Sequence, residues 1–98
     1  MEKNMTKDNE KYLPIGTIAL LKGGAKKVMI IGYKAVVTEK KEDGEKETEW
    51  DYSGCIYPEG MLSSDQLLLF DHSQISEIFF KGFEDEESNK FHETLKKL

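Results

Sequence analysis

Apolar and polar positions along this chain fall into short blocks, most of them with a period of two. Thr17–Lys22 (TIALLK) is an apolar run suited to a strand, Gly23-Gly24 follows, and Lys26–Thr38 (KKVMIIGYKAVVT) resumes the β pattern. Two strands around a Gly-Gly pair predict a hairpin, because such turns need positive φ. Gly32 inside the second strand predicts a bend or bulge. Ahead of these strands, Leu13-Pro14-Ile15-Gly16 reads as an extended segment stiffened by Pro14 and bent at Gly16.

Glu39–Glu49 is a charged stretch with Gly44 near its tip, and its polarity predicts a solvated, mobile hairpin loop. Glu49–Tyr57 alternates again, with Trp50, Tyr52, Gly54 and Ile56 on one face and Asp51, Ser53, Cys55 and Tyr57 on the other, as a half-buried strand does. Pro58-Glu59-Gly60 ends it. Met61–Phe70 fits either a short strand or an extended arm. Asp71 then caps a single helical turn over His72–Ile75, and Ser76–Phe83 is the last strand, with Ile78 and Phe80 inward. Glu84–Leu98 reads as a helix. Phe91, Leu95 and Leu98 share one face, acids fill its first turn, and Lys96 and Lys97 its last, as the helix dipole favours. The expected fold is α+β and mainly β: a small antiparallel SH3-like or partly open barrel of four to five strands with a C-terminal helix. Residues 1–11 form a disordered tail in this reading, and 12–98 a single domain.

Composition narrows the function more than the fold. At 98 residues, 38% of them hydrophobic and 34% charged, the chain supports one lean core. Its longest apolar runs fall well short of the roughly 20 residues a bilayer crossing needs. The opening MEKNMTKDNEKY is polar throughout, so a cytoplasmic location without membrane insertion is expected. All 14 basic residues are lysine, against 19 acids. Arginine makes the bidentate contacts to phosphate and guanine, so nucleic acid is not an expected partner. The charges are also segregated. Tyr12–Val37 carries four lysines and no acid, Thr38–Asp51 seven acids against three lysines, and the remainder nine against four. The basic first hairpin reads either as protected strand edges or as a docking surface for an acidic partner.

Candidate chemistry dissolves on inspection. Asp71-His72-Ser73 holds the residue types of a hydrolase triad, but sequence neighbours cannot converge as a triad requires. A helix cap beside a surface histidine explains them. Cys55 has no electropositive setting to activate it and reads as a core or half-buried thiol. His92 falls on the exposed polar side of the helix. One cysteine and two histidines give no zinc spacing, and Lys22–Lys26 lacks the phosphate-loop pattern. No catalytic, metal or cofactor site is expected, and the chain is read as a non-enzyme. What remains is aromatic surplus. Trp50, Tyr52, Tyr57, Phe70, Phe79, Phe80 and Phe83 exceed what one small core must hide. Burial in the core or under the C-terminal helix is one reading of them; a partner-binding patch is the other, with Trp50, Tyr52, Tyr57, Phe70, Phe79 and Phe83 as its candidate residues.

Three ordered motifs, Tyr12–Gly32, Asp51–Gly60 and Phe70–Glu87, resemble a family of small Gram-positive proteins of unknown function encoded beside LXG polymorphic toxins and other type VII secretion cargo. The resemblance implies no catalytic residues. It implies a protein partner from the same locus, with this chain as an accessory factor or chaperone for the toxin. An immunity protein using the acids of Glu39–Asp51 is the alternative, and a toxin-modifying enzyme a third.

Overall fold

The apolar alternation of the N-terminal half builds a hairpin in the computed structural model, which describes residues 11–98. β1 (Ile18–Leu21) and β2 (Val28–Lys41) pair antiparallel, with Ala19 opposite Val28. Gly23 takes a φ of 78° in the turn between them, a conformation open to glycine at little cost. β2 then pairs with β3 (Gly44–Ile56). β4 (Leu68–Phe70) flanks β3, and β5 (Ile75–Phe80) returns to flank β1. The spatial order is β4-β3-β2-β1-β5, all antiparallel. The sheet is open, ending at β4 and β5, and is not a closed barrel. The expectation of a loose tail over Met1–Lys11 lies, apart from Lys11, outside the described residues. Lys11 itself is partly buried and pairs with Asp51 at 3.2 Å.

The expected bulge is present. Ile30 faces Gly54 and Gly32 faces Ser53, so Ile31 is the extra residue. Because side chains alternate, three residues from Ile30 would turn Tyr33 away from the core. The extra residue restores it to the core side, opposite Tyr52. The charged loop expected over Glu39–Glu49 is not a loop. β2 and β3 stay paired out to Lys41 opposite Gly44, and only Glu42 and Asp43 turn. Opposite charges meet across this arm, with Glu39 facing Lys46 and Lys40 facing Glu45. Such pairs stabilise a solvated ribbon, so high polarity did not prevent strand formation.

One face of the sheet carries the core. Ala19, Val28, Ile30, Tyr52, Phe70 and Ile75 pack there with Leu13 of the leading segment. Gly54 leaves room for Phe70, since a Cβ on Gly54 would lie 2.9 Å from the Phe70 ring and 2.6 Å from the Met29 carbonyl oxygen. Ile78 is partly buried as expected, but Phe80 is 60% exposed. The pairing shifts between Ile18 opposite Phe80 and Ala19 opposite Ile78, and this bulge breaks the alternation that would have turned Phe80 inward.

The helix α1 spans Glu86–Lys97, two residues shorter at its start than the charge pattern suggested, because Asp85 is its cap. The Asp85 carboxylate accepts from the Ser88 amide at 2.9 Å, and Ser88 Oγ accepts from the Asp85 amide at 2.9 Å. This reciprocal arrangement satisfies donors that a helix start leaves open. Only Leu95 of the expected stripe is buried, while Phe91 is 52% and Leu98 78% exposed.

Candidate binding surface

Polar side chains inside the fold bond to the backbone and to one another, apart from the exposed aromatic residues. Tyr52 Oη accepts from the amides of Tyr12 at 3.0 Å and Leu13 at 3.1 Å. Its own proton is thereby left for His72 Nδ1, 2.8 Å away. His72 is 5% exposed, not the surface histidine expected beside Asp71. Its amide donates to Asp51 Oδ2 at 2.9 Å, and the Asp51 amide donates to Asp71 Oδ1 at 3.0 Å. Asp71 and His72 therefore tie the one-turn helix His72–Gln74 to β3. Burial raises the Tyr52 phenol well above its ordinary value, so it stays protonated and donating.

Tyr33 Oη donates to the Leu13 carbonyl at 2.6 Å, so His92 Nε2, 3.0 Å from the same oxygen, is the donor to it. His92 is thus the helix's polar anchor on the sheet, not an exposed side chain. Burial is the largest cause of both shifts here. It pushes Tyr33 up to about 12 and holds His92 below the usual imidazole value, with Glu84 opposing for His92. A small cavity of about 200 Å³ lies beside this anchor, lined by Lys11, Lys81, Glu84, Glu93 and Lys96 among others. Lys81 pairs with Glu84 at 3.5 Å and Lys96 with Glu93 at 3.5 Å, so its charges answer one another. Cys55 is buried as expected. Among the described residues no three His, Cys, Asp or Glu side chains group as metal ligands, and no helix is long and apolar enough to cross a membrane.

The six expected binding residues divide. Tyr52 and Phe70 are 0% and 1% exposed and belong to the core, because β3 and β4 turn both inward around Gly54. They cannot touch a partner. Trp50 is partly buried at the base of the arm, opposite Ala35. Tyr57, Phe79 and Phe83 are exposed, at 41%, 46% and 78%. Lys27 brings two of them together: its carbonyl accepts from the Tyr57 amide at 2.8 Å, and its Nζ sits 5.1 Å from the centre of the Phe79 ring. Phe83 stands apart, between β5 and the helix.

A comparison with known families decides the chain's kinship. The chain belongs to the DUF4176 family, a domain of unknown function, matched over residues 12–91. The DUF4176 match starts at Tyr12, whose amide reaches Tyr52, and takes in every strand and the helix as far as Phe91. No curated protein and no solved structure matches the chain. Alternation alone missed part of the exposed surface: Ile31 and Phe80 join it because of the two bulges, which no local sequence signal at Phe80 announces.

Proposed function

We propose that this protein is a non-catalytic protein-binding accessory factor or chaperone for a type VII-secreted LXG toxin. The observation that carries the binding role is the exposure of Tyr57 and Phe79 beside Lys27, and of Phe83 apart from them, on a domain whose buried tyrosines hold the fold together. Exposed apolar area on a small domain usually marks a partner site, and aromatic anchors supply much of the binding energy. The LXG cargo rests on the resemblance of the Tyr12–Gly32, Asp51–Gly60 and Phe70–Glu87 motifs. Cytoplasmic residence before export follows from the same reading.

The test is co-expression with the product of the neighbouring toxin gene. A stable complex is expected, with export of the toxin reduced when this gene is deleted. Replacing Tyr57 with alanine should weaken the complex by about 2 kcal/mol, roughly 30-fold. The projecting acidic arm, with Glu45, Glu47 and Glu49 exposed, favours an immunity role as the second reading. Rescue of cells from the toxin domain by this protein alone would establish that role instead. Absence of binding at micromolar concentrations would defeat both.

A further inference from the structure

The helix α1 makes three turns yet commits little of its surface to the rest of the chain. Of its 12 residues only Leu95 is buried, while Ser88 and His92 are partly buried. Among the described residues one hydrogen bond joins it to a strand, between His92 Nε2 and Tyr33 Oη at 3.0 Å. Phe91 and His92 also lie beside the Tyr33 ring, at 6.1 Å and 5.5 Å between centroids. Phe91 and Leu98, which extend the Leu95 stripe, stay exposed.

The other polar bonds of the helix are its own. Beyond the reciprocal cap of Asp85 and Ser88, Ser88 Oγ donates to the Asp85 carbonyl at 3.0 Å and Thr94 Oγ1 to the Lys90 carbonyl at 3.2 Å. The ion pairs of Lys90 with Glu86 at 3.9 Å and of Lys96 with Glu93 at 3.5 Å are internal too. Leaving the sheet therefore exchanges one hydrogen bond, His92 to Tyr33, for bonds to water. The seam is also incompletely packed. The cavity of about 200 Å³ lies within it, with Asn89, His92 and Glu93 on the helix side and Tyr12, Leu13 and Pro14 opposite. A polar gap with room for several water molecules adds little apolar burial to hold the two sides together.

The chain supplies a pivot at the right place. Gly82 is clamped to the leading segment: its amide donates to Thr17 Oγ1 at 3.0 Å, and a Cβ there would collide with the Ile15 carbonyl. Asp85 already caps the helix, so Phe83 and Glu84, both exposed, link a fixed glycine to a self-contained element. The exposed pair of Lys81 and Glu84 across this link is a weak restraint.

We propose that α1 is a detachable lid, which leaves the sheet as one cooperative unit about Phe83 and Glu84 while the five strands stay folded. Its departure uncovers the Tyr33 ring and frees Leu95 alongside Phe91 and Leu98, so the lid sets how much apolar surface the chain presents. Helices this short are marginal in water by themselves, so the opened segment loses its hydrogen bonds and its amides exchange. Elements that move in regulation are drawn from such low-stability units. The lid is a property of the chain alone and does not depend on the partner reading.

Native-state hydrogen exchange on the purified full chain tests it, in steps of urea below the unfolding transition. Amides of residues 90–97 should share one opening and exchange at least about 10-fold faster than the Ile30 amide, with a shallower urea dependence. Leu95→Ala should speed the helix amides at least about 10-fold further and leave Ile30 unchanged. Helix amides exchanging at the Ile30 rate would make α1 part of the global unit and overturn the lid. So would a Leu95→Ala chain in which Ile30 speeds up as much as the helix, or in which the helix amides do not change. Rates graded residue by residue inward from Leu98, without urea dependence, would be end fraying and would overturn it as well.

Discussion

Tyr33 and Tyr52, directly opposite each other on β2 and β3, hold the two polar groups of a single residue between them. Tyr52 Oη accepts the Leu13 amide and Tyr33 Oη donates to the Leu13 carbonyl. A leading segment without a strand ladder of its own is thereby satisfied by two phenols, and Leu13 can enter the core without orphaned backbone groups. Tyr12, next to it, adopts a φ of 67°, unusual for a bulky residue, and is held there by its amide bond to Tyr52 and by ring contacts with Tyr33 and Tyr52.

The two phenols should differ in weight. Tyr52→Phe leaves two buried amides and His72 Nδ1 without their hydroxyl, and should cost about 3 kcal/mol in urea unfolding. Tyr33→Phe removes the donor to the Leu13 carbonyl and the acceptor of His92 at a partly buried site, and should cost about 1 kcal/mol. Equal losses would mean that the Tyr52 hydroxyl is not the organising group.

Gly54→Ala tests the packing of the core. The new methyl meets the Met29 carbonyl, part of the sheet backbone, and the fully buried Phe70 ring, neither of which can swing aside. Destabilisation of about 1–3 kcal/mol is expected from such overpacking. Phe70→Leu in the same chain should recover part of it, and a failure to recover would place the strain in the backbone contact.

His92 gives the helix a pH dependence. Its pKa is held below the unfolded value mainly by burial, so the protonated form is disfavoured in the folded state. The associated stability is full above the unfolded imidazole pKa of about 6.5 and is lost as pH falls through the folded value. Glu84 opposes the shift while Lys81 and Lys96 reinforce it. Protection of helix amides in hydrogen exchange should hold above about pH 6.5 and fall as the pH drops below it. His92→Gln should flatten that dependence, and a dependence unchanged in this variant would assign it to another group.

The arm should tolerate change. Exchanging Glu39 for lysine puts like charges opposite each other at Lys46, for about 0.5 kcal/mol. Because those residues are exposed and distant from the core, near-ultraviolet dichroism of the buried tyrosines should not alter. A lost tyrosine signal would show the arm and core to be one cooperative unit.

Period-two alternation and glycine placement made the strands, the hairpin and the Gly32 bulge legible from the sequence, since each depends on local backbone chemistry. The polar arm was hidden because its stability comes from cross-strand pairing, which composition does not report. Aromatic surplus counts residues without saying which face each strand buries, so it does not separate Tyr52 and Phe70 of the core from Tyr57 and Phe79 of the surface. Phe80 escaped as an exposed residue because the β1–β5 bulge arises from pairing sixty residues apart in sequence. A cap reading for His72 and a position off the Phe91 stripe for His92 place both at the surface, whereas the tyrosines that hold them lie on distant β3 and β2.

The extra residue at Ile31 also partitions the chain for inheritance. Between the Ile30–Gly54 and Gly32–Ser53 pairs the ladder is interrupted, so a shift of register in the arm meets a break before it reaches the rows of Val28 and Ile30. Residues gained or lost in matched pairs near Glu42 and Asp43 lengthen or shorten the ribbon without moving Val28, Ile30 or Gly54. The arm can therefore change in reach, and in what it carries at its tip, while the rows of Val28, Ile30 and Gly54 stay in place; the Tyr33–Tyr52 pair, on the arm side of the break, is held instead by its bonds to Leu13.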